Sequence, residues 1–319
     1  METTPATSCP HIFDCDPGQD DAISLMMALS PGSGLDIRAI TVVAGNTSLE
    51  KCQRNARMIA QICGRNDVPI YAGCDTPLKF PLATAEEVHG TEGLDGIEVF
   101  EPRLPLAGEH AVDALIRICR ETENVTLVPT GPLTNIGTAF TRAPDIIPRI
   151  SEIVLMGGAR AEAGNITPSA EFNIYVDPHA AQIVFGADVK KTVFSLDVTH
   201  KALIREPHVA RIEALETRVS SILTSMLRSG YAEYDRAKFG TAGTPIHDAC
   251  TSAYLLRPEI FTFKTISVDV ETDSPLTRGH TSVDYWQMTE GTRDTRWAID
   301  VDADGFFDVM IDRISAYQD

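Results

Sequence analysis

Residues 11–30 read HIFDCDPGQDDAISLMMALS. The first six are a short apolar strand ending in carboxylates. From Asp20 the apolar positions take helical spacing, so the chain passes from strand to helix through the turn at Pro17-Gly18. The same alternation continues. LDIRAITVVAG (35–45), VPIYAG (68–73), NVTLVPTG (124–131), SEIVLMGG (151–158) and KTVFSLDVTH (191–200) read as β-branched or apolar strands. SLEKCQRNARMIAQICG (48–64), HAVDALIRICRET (110–122), LTNIGTAFTRAP (133–144) and DPHAAQIVFG (177–186) read as helices between them. This βαβ rhythm predicts an α/β, Rossmann-like fold, with a mostly parallel central sheet and helices on both faces. Residues 205–239 read as mostly helical, and residues 246–258 as a further helix. Residues 263–272, 280–287 and 296–302 read as terminal strand additions before a closing helix. No repeat or linker interrupts the chain, which reads as one domain, 1–319.

The chain has 319 residues, 43% of them hydrophobic, and a formal net charge of -18. Such acidity argues against a nucleic-acid backbone as partner and suits a protein that gathers carboxylates around a cation. The seven cysteines show no paired or zinc-binding spacing, and several lie in apolar runs, as Cys63 and Cys119 do. They read as buried reduced thiols of a cytoplasmic protein. The first ten residues lack the basic and apolar regions of a secretory signal, and no apolar run reaches the length of a membrane span.

Residues 14–21 place four carboxylates, Asp14, Asp16, Asp20 and Asp21, within eight positions. They repel one another in any shared crevice, and a hard divalent cation relieves that repulsion. Calcium accepts six to eight oxygen ligands in flexible geometry. Asp14 and Asp16 share a strand face by the period of two. Asp20 and Asp21 open the next helix, where negative charge is favoured. Asp14, Asp16, Asn46, Thr130 and Met156 all fall at the ends of expected strands. In an open parallel sheet, ligands bind outside the carboxyl ends of the strands, so these groups converge on one crevice.

At this point the sequence resembles a known family. Asp14-Cys-Asp-Pro-Gly-Gln-Asp-Asp-Ala22 is similar to the signature of the inosine-uridine-preferring nucleoside hydrolases. Val43-Ala-Gly-Asn46, Leu127-Val-Pro-Thr-Gly-Pro-Leu-Thr-Asn135, Leu155-Met-Gly-Gly158, Gly164-Asn-Ile-Thr-Pro-Ser-Ala-Glu-Phe-Asn173 and Ile246-His-Asp-Ala249 resemble its later motifs, in the same order. The resemblance implies calcium-dependent hydrolysis of the N-glycosidic bond of ribonucleosides, with a metal-bound water attacking C1′ through an oxocarbenium-like transition state. It implies a homo-oligomer, dimer or tetramer, acting in nucleoside salvage.

The resemblance also implies roles. Asp16, Asp21, the carbonyl of Thr130 and Asp248 would hold the calcium, with Asp16 as general base. Asp20, Asn46 and Asp248 would contact ribose hydroxyls. Asn165, Glu171 and Asn173 would bind the 5′ end, and Met156 would pack beneath the sugar. His247 and His89 are both candidates for leaving-group acid: His247 because it neighbours Asp248, His89 because it lies in a glycine-flanked loop able to close over the site. Phe172, Tyr231 and Tyr234 are candidates to flank the base. Two other classes compete. A nucleoside or ribose binder without catalysis would keep the metal site but tolerate loss of Asp16 or Asp248. A magnesium phosphohydrolase would need a nucleophilic Asp and a suitably placed Lys, and no such Lys follows a strand here.

Overall fold

The computed structural model describes residues 9–229, 240 and 242–318. Eight strands form the central sheet: β1 (Pro10–Cys15), β2 (Asp36–Val42), β3 (Ile70–Ala72), β4 (Val125–Pro129), β5 (Ile150–Met156), β6 (Lys191–Phe194), β9 (Phe261–Ile266) and β12 (Thr295–Val301). Their order is β3-β2-β1-β4-β5-β6-β12-β9. Every pairing is parallel except that of β12 with the edge strand β9. Two short antiparallel pairs stand apart: β7 (Leu203–Ile204) with β8 (Thr244–Pro245), and β10 (Val268–Val270) with β11 (Thr281–Val283).

The period of two distributes the core. Phe13, Val128, Val154 and Phe194 point to one face of the sheet, under the helices Gln19–Ala28, Leu49–Ile62, Ala249–Leu256 and Ala303–Ser315. Ile12, Leu127, Ile153 and Val193 point to the other, under Ala111–Glu121, Thr134–Arg142 and Pro178–Phe185. Strands buried on both faces read as continuous apolar runs rather than alternating ones, as observed here. Burial of this kind stabilises by about 25 cal/mol per Å² of apolar surface.

Two expectations change. KTVFSLDVTH is not one strand: β6 stops at Phe194, and residues Leu196–Thr199 form a short helix. There the Asp197 carboxylate collects the amides of Arg160 and Ala161 at 2.8 and 2.7 Å, drawing the chain out of the sheet. The terminal strands are added as expected, β9 and β12 extending the main sheet and β10 and β11 forming their own hairpin. Asp14 is not at the strand end but within β1, on the face of Ile12 beneath the helix Thr134–Arg142. Its Oδ1 accepts from Thr41 Oγ1 at 2.6 Å and from Asn135 Nδ2 at 2.8 Å. Asp14 therefore braces the sheet, while Asp16, past the end of β1, turns away from it into the crevice.

The crevice follows from strand order. Sequence direction across the sheet reverses between β1 and β4, and the loops beyond their carboxyl ends diverge there. Asp16 follows β1, Asn46 lies beyond β2, and Thr130 follows β4.

Candidate active site

The turn at Pro17-Gly18 carries the chain from Asp16 directly into the helix Gln19–Ala28, whose first turn holds Asp20 and Asp21. Carboxylate oxygens of Asp20, Asp21 and Asp248 lie within 4.8 Å of one another, all three side chains buried. Asp248 immediately precedes the helix Ala249–Leu256, but its side chain makes no capping bond to that helix. It is therefore not spent as a helix cap, and it faces the other carboxylates instead. Asp21 is fixed from two sides: Thr130 Oγ1 donates to its Oδ1 at 2.7 Å, and the Gly18 amide donates to its Oδ2 at 3.0 Å.

Asp16 completes the group. The Asn46 amide donates to its Oδ2 at 2.7 Å. Its Oδ1 is buried and has no hydrogen-bond partner among the described residues. Such close contact depends on two glycines. A Cβ at Gly45 would stand 2.0 Å from Asp16 Oδ2, and one at Gly131 would stand 2.5 Å from Oδ1.

The electrostatics report a cluster short of positive charge. Burial pushes Asp20 and Asp21 up to about 6. Burial, then the neighbouring carboxylates, pushes Asp16 and Asp248 well above the ordinary range. Four buried acids with no ion pair to a cationic side chain among the described residues, and an orphaned carboxylate oxygen, are a donor set that suits a hard divalent ion. The residues present fit calcium.

A pocket opens on this cluster, lined by Asp20, Asn46, Thr130, Met156 and Asp248. One side of it comes from the loop after β5, which brings Asn165, Glu171, Phe172 and Asn173 to the same pocket. These residues also build their own loop. Glu171 accepts from the amides of Gly158, Asn173 and Ile174 at 2.9, 2.9 and 3.2 Å, capping the short helix Phe172–Val176. Burial still raises its carboxyl to about 7. Asn173 Nδ2 donates to the carbonyls of Thr130 and Met156 at 2.8 and 3.3 Å, tying the ends of β4 and β5 together. Asn165 Oδ1 receives the Phe172 amide at 2.9 Å. Phe172 packs with Ala85, Val88 and Ile166, an apolar wall opposite the carboxylates.

Both candidate histidines line the pocket. His247 is partly exposed, and its Nδ1 lies 2.8 Å from Thr199 Oγ1. Its pKa is well below the usual imidazole value, first through burial and then through the nearby His200 and His89. His89 ends the short helix Glu86–His89, is buried, and has its pKa pushed down to about 4 by burial. Tyr231 and Tyr234 lie outside the described residues.

Sequence reasoning overlooked Gln19 and Thr199, although each touches one of these histidines. Gln19 stood inside the quoted signature, but nothing in its spacing announced a partner 70 positions away. Thr199 was hidden by the misread strand at 191–200.

The sequence pattern of the family described as inosine-uridine preferring nucleoside hydrolase matches residues 11–308. The pyrimidine-specific ribonucleoside hydrolase RihA of Photobacterium profundum is 43% identical over 311 residues, covering 97% of this chain and 100% of that protein. The purine-preferring ribonucleoside hydrolase of Gardnerella vaginalis superposes with a TM-score of 0.88 at 30% identity, over 96% of this chain and 98% of that one. The plant nucleoside hydrolase PpNRh1 superposes with a TM-score of 0.89 at 28% identity, over 97% and 99%.

Proposed function

The chain belongs to the inosine-uridine preferring nucleoside hydrolase family and is a ribonucleoside hydrolase, and we propose that it is calcium-dependent and prefers pyrimidine ribonucleosides. The observation that supports the calcium reading is the buried group of Asp20, Asp21 and Asp248, with the buried Asp16 beside it, at a pocket that Asp20 and Asp248 line. The pyrimidine reading is supported by the 43% identity to a pyrimidine-specific relative and by a histidine, not a stacking aromatic, at position 247. Membership in the family removes the reading as a non-catalytic ribose binder.

Asp16, Asp21, the Thr130 carbonyl and Asp248 would hold the cation. A cation held there would supply Lewis acidity, raising the acidity of water and favouring hydroxyl ligands. Asp16 takes the proton of the attacking water on Oδ1, while the Asn46 amide keeps the carboxylate aimed. Asp20 accepts from a ribose hydroxyl, and Asn46, whose Nδ2 donates to Asp16 O and Asp21 Oδ2, offers its Oδ1 to the other. Asn165, Glu171 and Asn173 orient the 5′ end, and Met156 lies under the ring. As positive charge develops at C1′, the surrounding carboxylates stabilise it. His247 faces the departing base. Thr199, bonded to its Nδ1, leaves the other ring nitrogen for the base.

A cytoplasmic location and a homo-oligomeric state complete the proposal. All seven cysteines are free thiols, which suits a reducing compartment. No helix of the described residues is long and apolar enough to cross a membrane. Trp286 and Met288 stand 76% and 84% exposed on one loop, which suits a subunit contact.

The test is a panel of uridine, cytidine, inosine and adenosine, incubated with calcium or with a chelator, and read as free base by chromatography. Uridine and cytidine cleavage that is lost on chelation is the expected result. Cleavage indifferent to chelation would overturn the calcium reading, and faster inosine or adenosine cleavage the pyrimidine reading.

A further inference from the structure

Of the three amides that the Glu171 carboxylate accepts, those of Asn173 and Ile174 belong to its own helix and move with it. The third, from Gly158 at 2.9 Å, ties the carboxylate to the turn after β5. The aim of Glu171 therefore depends on how that turn is held.

The turn takes partners from several elements. The Gly157 amide donates to Phe194 O at 3.1 Å, and the Leu196 amide to Gly158 O at 3.0 Å. Asp197 collects the amides of Arg160 and Ala161. Between these, Ala159 is satisfied from 122 positions away. Its amide donates to Thr281 Oγ1 at 3.0 Å, and the same hydroxyl donates to the Ala159 carbonyl at 2.7 Å. A hydroxyl can accept and donate at once, so one atom fixes both backbone groups of Ala159. Both residues are buried. The Thr281 methyl packs against the neighbouring glycine, since a Cβ at Gly158 would stand 3.1 Å from Cγ2.

Thr281 opens β11 of the small hairpin, which is not hydrogen-bonded to the central sheet. The hairpin meets the same loop at two further places. His280 Nδ1 donates to Ser169 O at 3.2 Å. Gly279 passes against Tyr175, where a Cβ would stand 2.7 Å from the Tyr175 Cα, and the Arg278 guanidinium lies 3.9 Å from the centre of the Tyr175 ring. Residues 278–281 do not line the pocket. They grip its Glu171-bearing loop from behind.

We propose that Thr281 is a positioning residue: its hydroxyl holds Ala159 so that the Gly158 amide aims the Glu171 carboxylate, and it thereby sets how strongly the enzyme distinguishes a ribose 5′-hydroxyl. The selectivity rests on the 5′ role proposed for Glu171; the hold on Glu171 does not.

Two measurements on calcium-loaded enzyme test this. Amide hydrogen exchange, read by mass spectrometry, follows peptides within residues 156–175. Thr281→Val keeps the shape and removes the hydroxyl, and it should speed exchange there; Thr281→Ser should not. The ratio of kcat/KM for uridine to that for 5′-deoxyuridine should fall about threefold to tenfold in Thr281→Val, as for the loss of one oriented hydrogen bond. The 5′-deoxyuridine value should hold, and Thr281→Ser should retain the ratio. A residue that only stabilises the fold would lower both substrates alike. Unchanged exchange in Thr281→Val overturns the proposal, and so does an equal fall on both substrates. A ratio that stays intact in Thr281→Val while Glu171→Gln lowers it overturns it too. If neither variant changes the ratio but exchange rises in Thr281→Val, the 5′ role of Glu171 fails and the hold on Glu171 stands. If Thr281→Val does not fold, Thr281→Ser decides: a retained ratio supports the hydroxyl's role, and a lowered one overturns it.

Discussion

The backbone amide of Asn46 donates to Oδ2 of Asp16 at 2.7 Å, while Oδ1 of the same carboxylate is buried with no hydrogen-bond partner among the described residues. One oxygen is committed to the scaffold and the other is available for chemistry. A general base held in this way accelerates proton removal by 10²- to 10⁴-fold. Asp16→Asn keeps the shape and the Asn46 contact but removes the base. Its kcat should fall on the order of 10² to 10⁴. Calorimetry on the same variant measures whether calcium still binds. Near-normal turnover with calcium retained would remove Asp16 from the base role.

Gly45 and Gly131 flank that carboxylate from two loops, and neither tolerates a Cβ in place. Gly131→Ala should displace Asp16, with an overpacking cost of about 1–3 kcal/mol and weaker calcium binding than the unaltered enzyme. Calcium titration of the variant checks this. Unchanged affinity would show that Oδ1 is not used for the cation.

Removing the cation should make stability depend on pH. Asp20 and Asp21 have pKa values raised to about 6, and Asp16 and Asp248 lie higher still. The folded state therefore holds protons that the unfolded chain has already released above its ordinary carboxylate pKa. Their stabilising contribution is complete below about pH 3.8 and is lost as pH rises through 6 and beyond. Calcium bound as proposed would favour the deprotonated carboxylates and reverse the loss. The Tm difference between calcium-loaded and chelated enzyme should grow from pH 5 to pH 8 in thermal scans. A constant difference across that range would count against calcium at this cluster.

Glu171 has two duties that mutation can separate. As acceptor of three backbone amides it supports its loop, so Glu171→Ala should lower stability by about 1–3 kcal/mol. As a contact of the ribose 5′ end it should also matter to turnover. Asn173→Ala and Glu171→Gln should depress cleavage of ordinary nucleosides and affect 5′-deoxynucleosides far less. Equal losses on both substrates would leave only the structural duty.

His247→Ala should cripple uridine cleavage while sparing p-nitrophenyl riboside, whose leaving group needs no proton. Thr199→Val, which removes the hydroxyl at Nδ1, should show the same selectivity in weaker form. Uniform losses on both substrates would identify His247 as a support for Asp248 and not as an acid.

The apolar runs from His11 to Phe194, the turn residues between them and the carboxylates after the first strand were enough to predict a doubly wound α/β sheet and a crevice beyond its strand ends. That information is local: strand and helix periods arise from backbone geometry, and like charges close in sequence repel wherever the chain goes. The sequence by itself also named the residues that gather there, because its motifs resemble a family in the same order. The tertiary structure decided how those residues divide their work. Asp14 and Asp16 have the same parity in sequence, yet one braces the sheet through Thr41 and Asn135 while the other accepts from the Asn46 amide and joins Asp20 and Asp21. Asp248 stands at the N-terminus of a helix, yet its side chain leaves that helix uncapped and faces Asp20 and Asp21. Gln19 and His89, 70 positions apart, meet only because the loop from Ala85 to Asp95 folds back over the first helix. Hydrogen-bond partners across such distances depend on loop closure and packing, and no periodicity along the chain encodes them.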